Sequence, residues 1–167
     1  MQTVGTLLEG PCSRMPWYTD LQAVFDVFAG REREFDWLVT DLDCNRLPAE
    51  LQGDRDAWWL RGEALSDLVR RQDPPVQFIW AVLTGFRRGA RIDPLRLQVY
   101  PYANGNPGFW HGNPSIQHPG ALVELACWDS GSTILISSDA DLTRRFRAGF
   151  PEAVDLAEFN RRRHDAR

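Results

Sequence analysis

The chain has 167 residues, 43% of them hydrophobic, and a formal net charge of −4, which suits one compact domain over residues 1–167 with a substantial core. All 19 basic residues are arginine, which excludes lysine Schiff-base chemistry, a lysine general base and a Walker phosphate loop. The acidic balance argues against nucleic acid as the main partner. No apolar run nears the roughly twenty residues that cross a bilayer, and Cys12, Cys44 and Cys127 include no close pair, so a reducing, cytoplasmic location without membrane contact is expected.

Residues 3–10, TVGTLLEG, read as an opening strand that stops at Gly10-Pro11. Leu21, Val24, Phe25 and Phe28 recur at helical spacing and end at Gly30, which predicts an amphipathic helix over 17–29. REFDWLVTDLDCN (33–45) reads as a strand with Phe35, Trp37 and Val39 on one face. A second helix carries Leu65, Leu68 and Val69 within 62–72 and stops at Asp73-Pro74-Pro75.

VQFIWAVLTGF (76–86) is nearly continuous in apolar residues, as befits a strand near the middle of a sheet and covered on both faces. LRLQVYPY (95–102) alternates, with Leu95, Leu97 and Val99 inward, and predicts a strand wet on one side. Two strands within 121–139 meet at Asp129-Ser130-Gly131, a hairpin junction. Ser138 or Asp139 caps a helix striped by Leu142, Phe146 and Phe150, and Pro151 suits the first turn of a final helix with Leu156 and Phe159. Its basic end, 161–167, reads as a solvated helix terminus. The sum is an α+β fold: a mostly antiparallel sheet of about six strands with helices packed on one side, a two-layer sandwich.

The chemistry-bearing residues gather in two places. Asp41 and Asp43 lie at spacing two, so a continuing strand carries both on the Trp37/Val39 face, where paired carboxylates act as acid and base or hold a cation; the commoner role of such aspartates is to cap a turn. His111, His118, Cys127 and Asp129 form the one cluster resembling a metal set, without the short paired spacings of a zinc site, and neither a metal nor a cofactor is expected. A Cys127–His111 nucleophile pair requires the two to meet in space.

The loop from 100 to 120 is built of Asn104-Gly105, Asn106-Pro107 and Asn113-Pro114 turns around Phe109 and Trp110. Aromatic groups on a stiff loop make binding hot spots; alternatively they fold back to cover the sheet. Trp58 and Trp59, if extended, point in opposite directions, so one of them faces away from the core or into a second layer.

The succession FDWLVTDLDCN, AWWLRGEALSDLV, FIWAVLTGF, terminal hairpin and helix resembles small bacterial α+β proteins of the toxin-immunity type. That resemblance implies a cytoplasmic module that binds and neutralises a cognate toxin. On that reading Asp41, Asp43, Asp54 and Asp56 steer and pair with a basic surface, and Trp58, Trp59, Tyr102, Phe109, Trp110 and His111 contact it. The alternative is a small hydrolase-like enzyme or ligand-binding protein, with a cleft between Asp41/Asp43 and the 100–120 loop and His111 as acid or base. It requires His111 or His118 within hydrogen-bond reach of a carboxylate in a concave pocket.

Overall fold

The computed structural model describes residues 3–10, 12, 14, 15, 19–71 and 76–166. The expected stops at Pro11 and at Asp73-Pro74-Pro75, and the first residues of the helix predicted from 17, lie outside them. Among the described residues the strands are β1 (Val4–Glu9), β2 (Phe35–Cys44), β3 (Ala57–Arg61), β4 (Phe78–Arg87), β5 (Val123–Trp128), β6 (Ser132–Ser137) and β7 (Val154–Asp155). The helices are α1 (Leu21–Phe28), α2 (Gly62–Arg70), α3 (Ala140–Gly149) and α4 (Leu156–Asp165). The fold is α+β, with one antiparallel sheet of seven strands rather than six, in the order β3-β2-β4-β5-β6-β1-β7.

Helix ends follow from local chemistry. Asp20 begins α1 by accepting from the backbone of Gln22 and Ala23, and Asp139 begins α3 by accepting from Asp141 and Leu142; each side chain satisfies amides that have no partner within the helix. Helix α1 ends where Ala29 and Gly30 turn left-handed, at φ 55° and 88°, a conformation that halts helical bonding.

Strand alternation divides the core between the two faces of the sheet. On one face Trp37, Val39, Leu83, Leu125 and Leu135 pack against Phe25 and Phe28 of α1, Leu65 and Leu68 of α2, and Leu142 and Phe146 of α3. Burial of each such side chain contributes about 1.5–3 kcal/mol. On the other face Leu7, Val82, Ala126, Ile134 and Ile136 lie beneath Ala103, Phe109 and Leu156, while Leu38, Ala57 and Phe86 lie beneath Ala90, Ile92 and Leu97. Helices α1, α2 and α3 thus share one face, and the long connection between β4 and β5 covers the other together with α4.

Residues 95–102 form no strand. They run across the sheet, where Leu97 touches the Leu38/Phe86 cluster and Leu95 stands 79% exposed; a segment lying on a surface alternates in polarity without donating to a ladder. The strand that alternation could not reveal is β3, whose Trp58 and Trp59 face opposite sides of the sheet. The final helix starts at Leu156 under Asp155, which accepts from Glu158 N–H at 2.9 Å. Pro151 occupies the turn before it.

Candidate functional site

Strand β2 carries a bulge at Asp41, which takes a positive φ of 51° and breaks the register with β4 between Thr40 and Asp43. Before the bulge Trp37 and Val39 face the helices; after it Leu42 and Cys44 do. The extra residue inverts the alternation, so Asp43 does not share the Trp37/Val39 face as a continuing strand would require. Asp43 instead pairs in register with Trp80 of β4 and is exposed.

At this corner of the sheet a cleft of about 260 Å³ is walled by Asp41, Leu42, Asp43, Arg55, Asp56, Trp58, Trp80, Tyr100 and Asn104. Its frame is held by hydrogen bonds from three segments. Asp41 Oδ2 accepts from the backbone N–H of Ala103 and of Asn104, both at 2.7 Å. Tyr100 Oη accepts from Asp41 N–H at 2.9 Å and donates to the Asp56 carbonyl at 3.0 Å. Thr40 Oγ1 donates to the Pro101 carbonyl at 2.6 Å.

The strand continues past Thr40 to Cys44, and Asp41 holds backbone amides of a segment some sixty residues away rather than capping a turn of its own. Burial pushes the Tyr100 phenol up from its ordinary value, and the negative charges of Asp41 and Asp56 add to the rise.

The cleft carries unbalanced charge. Ion pairs join many acids elsewhere, such as Asp139 and Asp141 to Arg31. Among the described residues no ion pair includes Asp41, Asp43, Asp54 or Asp56. Asp54 is exposed in the turn before β3 and lies outside the cleft wall.

The aromatic residues divide into those that form the core and those at the surface. Phe109 is 2% exposed and packs edge-on to Trp128 at 5.8 Å, so it covers the sheet and offers nothing to a partner. Trp59 is half-buried against Phe86 at 5.4 Å. Trp58 is 7% exposed, and its buried Nε1 has no hydrogen-bond partner among the described residues. Trp110 is half-buried between Trp128, Phe159 and the Arg163 guanidinium. Tyr102 is 41% exposed, and its backbone is fixed by Gln117 and Asn106.

Among the described residues, neither histidine of the loop meets a carboxylate. His118 accepts at Nδ1 from Gly120 N–H and packs against the Phe86 ring, and burial lowers its pKa. His111 is exposed and lines shallow clefts beside α4 with Trp110, Asn160 and His164. Cys127 is fully buried on the helix-covered face, with its thiol pushed up by burial, whereas the 100–120 loop lies on the opposite face. The sheet separates the proposed nucleophile pair, and among the described residues no group of three or more His, Cys, Asp or Glu is placed to hold a metal.

Sequence reading missed Tyr100, Arg55, Trp80 and Asn104 as parts of the cleft, and also buried Glu124 with its half-buried partner Gln117 in the loop. One signal was present: Glu124 interrupts an otherwise apolar strand, VELACW. Comparison with protein-family models, with curated proteins and with solved structures finds no match for the chain.

Proposed function

We propose that this protein is a binding module of the immunity type, which neutralises a cognate bacterial toxin or effector by covering it through the acidic corner around Asp41, Asp43 and Asp56. The observation that carries this reading is the gathering on one cleft of carboxylates that form no ion pair among the described residues, in a frame held by the Asp41 and Tyr100 hydrogen bonds. Unneutralised like charges cost stability in the free chain and are relieved when a basic surface arrives, which also accelerates encounter. Asp54 adds to the field, and the exposed Tyr100 and Tyr102 supply aromatic contact at the rim. Buried Phe109 and the half-buried Trp59 belong to the scaffold, while Trp110 packs away from the cleft against Trp128 and Phe159.

The enzyme reading loses its main support because, among the described residues, neither His111 nor His118 hydrogen-bonds to a carboxylate. The test is capture of the partner from native cells with the tagged protein, followed by reconstitution with the purified partner. The Asp43→Arg/Asp56→Arg double variant should lose the partner and its inhibition, while Trp110→Ala keeps both. Retention by the charge-reversed variant would overturn the reading.

A further inference from the structure

We propose that Glu124 and Gln117 form a proton-operated latch on the 100–120 loop: a neutral Glu124 keeps the loop against the sheet, and release of its proton favours lifting of the segment around Gln117, so that water reaches the carboxylate. The latch belongs to the free chain and does not depend on what the acidic corner binds. Three features of the geometry carry it.

The first is where the acid sits. Glu124 is fully buried in β5, directly opposite Thr84 of β4 and Ile136 of β6. Alternation along the strand puts it with Ala126 on the face beneath the loop. Ladder bonds fix the strands on either side, so the loop is the cover that can move.

The second is the isolation of its charge. Among the described residues Glu124 forms no ion pair. From β4 it faces the Thr84 hydroxyl, itself buried without a partner among the described residues, and from β6 the side chain of Ile136. From the loop it meets Gln117, whose neighbour His118 packs against the Phe86 ring with its pKa lowered by burial. Ionisation strengthens the two Gln117 bonds, but loss of hydration outweighs them and pushes the acid up to about 7.

The third is that one residue carries the connection. Gln117 binds both carboxyl oxygens of Glu124, and its Oε1 accepts from Tyr102 N–H and Asn106 Nδ2 at 3.0 and 3.1 Å. Asn106 N–H in turn donates to the Ala103 carbonyl, next to the amides that Asp41 holds. Displacing Gln117 therefore loosens the stretch of loop that walls the cleft.

In the lifted segment Glu124 is hydrated and returns to about 4.5, so lifting releases a proton between that value and about 7. The opening becomes about tenfold easier for each pH unit across that window and levels off above it. Amide hydrogen exchange of the full chain, followed by NMR from pH 5 to 8 and corrected for the base catalysis of exchange itself, reads the opening at the Tyr102 and Gln117 N–H groups.

In the parent both amides should be less protected than those of Leu125 and Ala126 in β5, and their protection should fall about tenfold per pH unit up to about pH 7. In Glu124→Gln, neutral throughout, protection should not vary with pH, although His118 is retained. The side-chain carboxyl carbon signal of Glu124 in the parent should titrate where the fall levels off, a comparison that needs no variant. Protection independent of pH in the parent, or an equal fall in Glu124→Gln, would overturn the latch. So would exchange of Tyr102 and Gln117 as slow as the β5 amides, which would mean that they open only with the whole sheet.

Discussion

Gln117 donates its backbone N–H to one carboxyl oxygen of Glu124 at 2.9 Å and its side-chain Nε2–H to the other at 3.1 Å. The same side chain spans the Tyr102 peptide, accepting from its N–H and donating to its carbonyl. One fully buried acid in the middle of the sheet thus anchors the loop that borders the acidic cleft.

Burial pushes Glu124 up to about 7, against the opposing pull of the two Gln117 bonds, while the unfolded chain titrates near 4.5. Between those values the folded state holds a proton that the unfolded state releases. The stability contributed by protonated Glu124 is fully present below about pH 4.5 and is lost as pH rises through about 7, a difference on the order of 3 kcal/mol. Glu124→Gln should remove this slope and gain stability over the parent above pH 7. Urea denaturation of both proteins from pH 4 to 8 measures it, and parallel curves would refute the assignment.

Asp41 and Asp43 should separate cleanly in a stability measurement. Asp41→Ala leaves the Ala103 and Asn104 amides without their acceptor and should cost about 2 kcal/mol, with faster hydrogen exchange at those two amides. Asp43→Asn, at an exposed position with no ion pair among the described residues, should change stability by less than about 0.5 kcal/mol. Equal losses would mean that the bulge itself, rather than the Asp41 bonds, holds the segment.

Asn160 ties α4 to the loop: its Nδ2 donates to the carbonyls of Phe109 at 3.0 Å and of Gly112 at 3.3 Å. Asn160→Asp replaces these donors by an anion facing two carbonyl oxygens, at a position 4% exposed. It should cost about 3 kcal/mol at neutral pH. The loss should shrink in acid, because a protonated aspartate can donate one of the two bonds. Thermal melts at pH 4 and 7 compare the two conditions.

Gly62→Ala should destabilise by about 2 kcal/mol or more, although glycine-to-alanine changes within helices ordinarily stabilise. A Cβ there would meet the Glu32 carbonyl and the Arg33 Cα at 2.7 Å, and the Phe35 carbonyl closer still. These are backbone atoms, which cannot swing aside. A melt of the single variant gives the sign directly.

The elements legible from sequence were those in which pattern and packing agree. The Leu21/Val24/Phe25/Phe28 stripe, the apolar run of β4 and the turn at Asp129-Ser130-Gly131 all appear where periodicity places them. The 95–102 segment deceived because a strand wet on one side and a coil draped over a sheet both alternate. β3 escaped because Trp58 and Trp59 are both apolar, which erases alternation in a strand covered on each face. At the site, the acidic residues were visible, but their common cleft was not: the Asp41 bulge reverses side-chain direction, and no local pattern announces a positive φ at an aspartate. Tyr100 matters through contacts between distant segments, with Asp41 N–H and the Asp56 carbonyl, which a linear reading does not contain.

The placement of β1 bears on the order in which the chain acquires its structure during synthesis. The block β3-β2-β4-β5 draws only on residues 35–128 and can assemble as those residues leave the ribosome. β1 is made first, yet its neighbours are β6 and β7, and its register runs from Val4 against Ser137 to Glu9 against Ser132. The opening strand therefore waits for more than 120 residues of translation before it finds a hydrogen-bonding edge, and closing so long a loop is slow relative to local pairing. During that interval Leu7 and Leu8, both buried in the finished fold, are open to chaperones and to other nascent chains. Insertion of β1 between β6 and β7 completes the seven-stranded sheet.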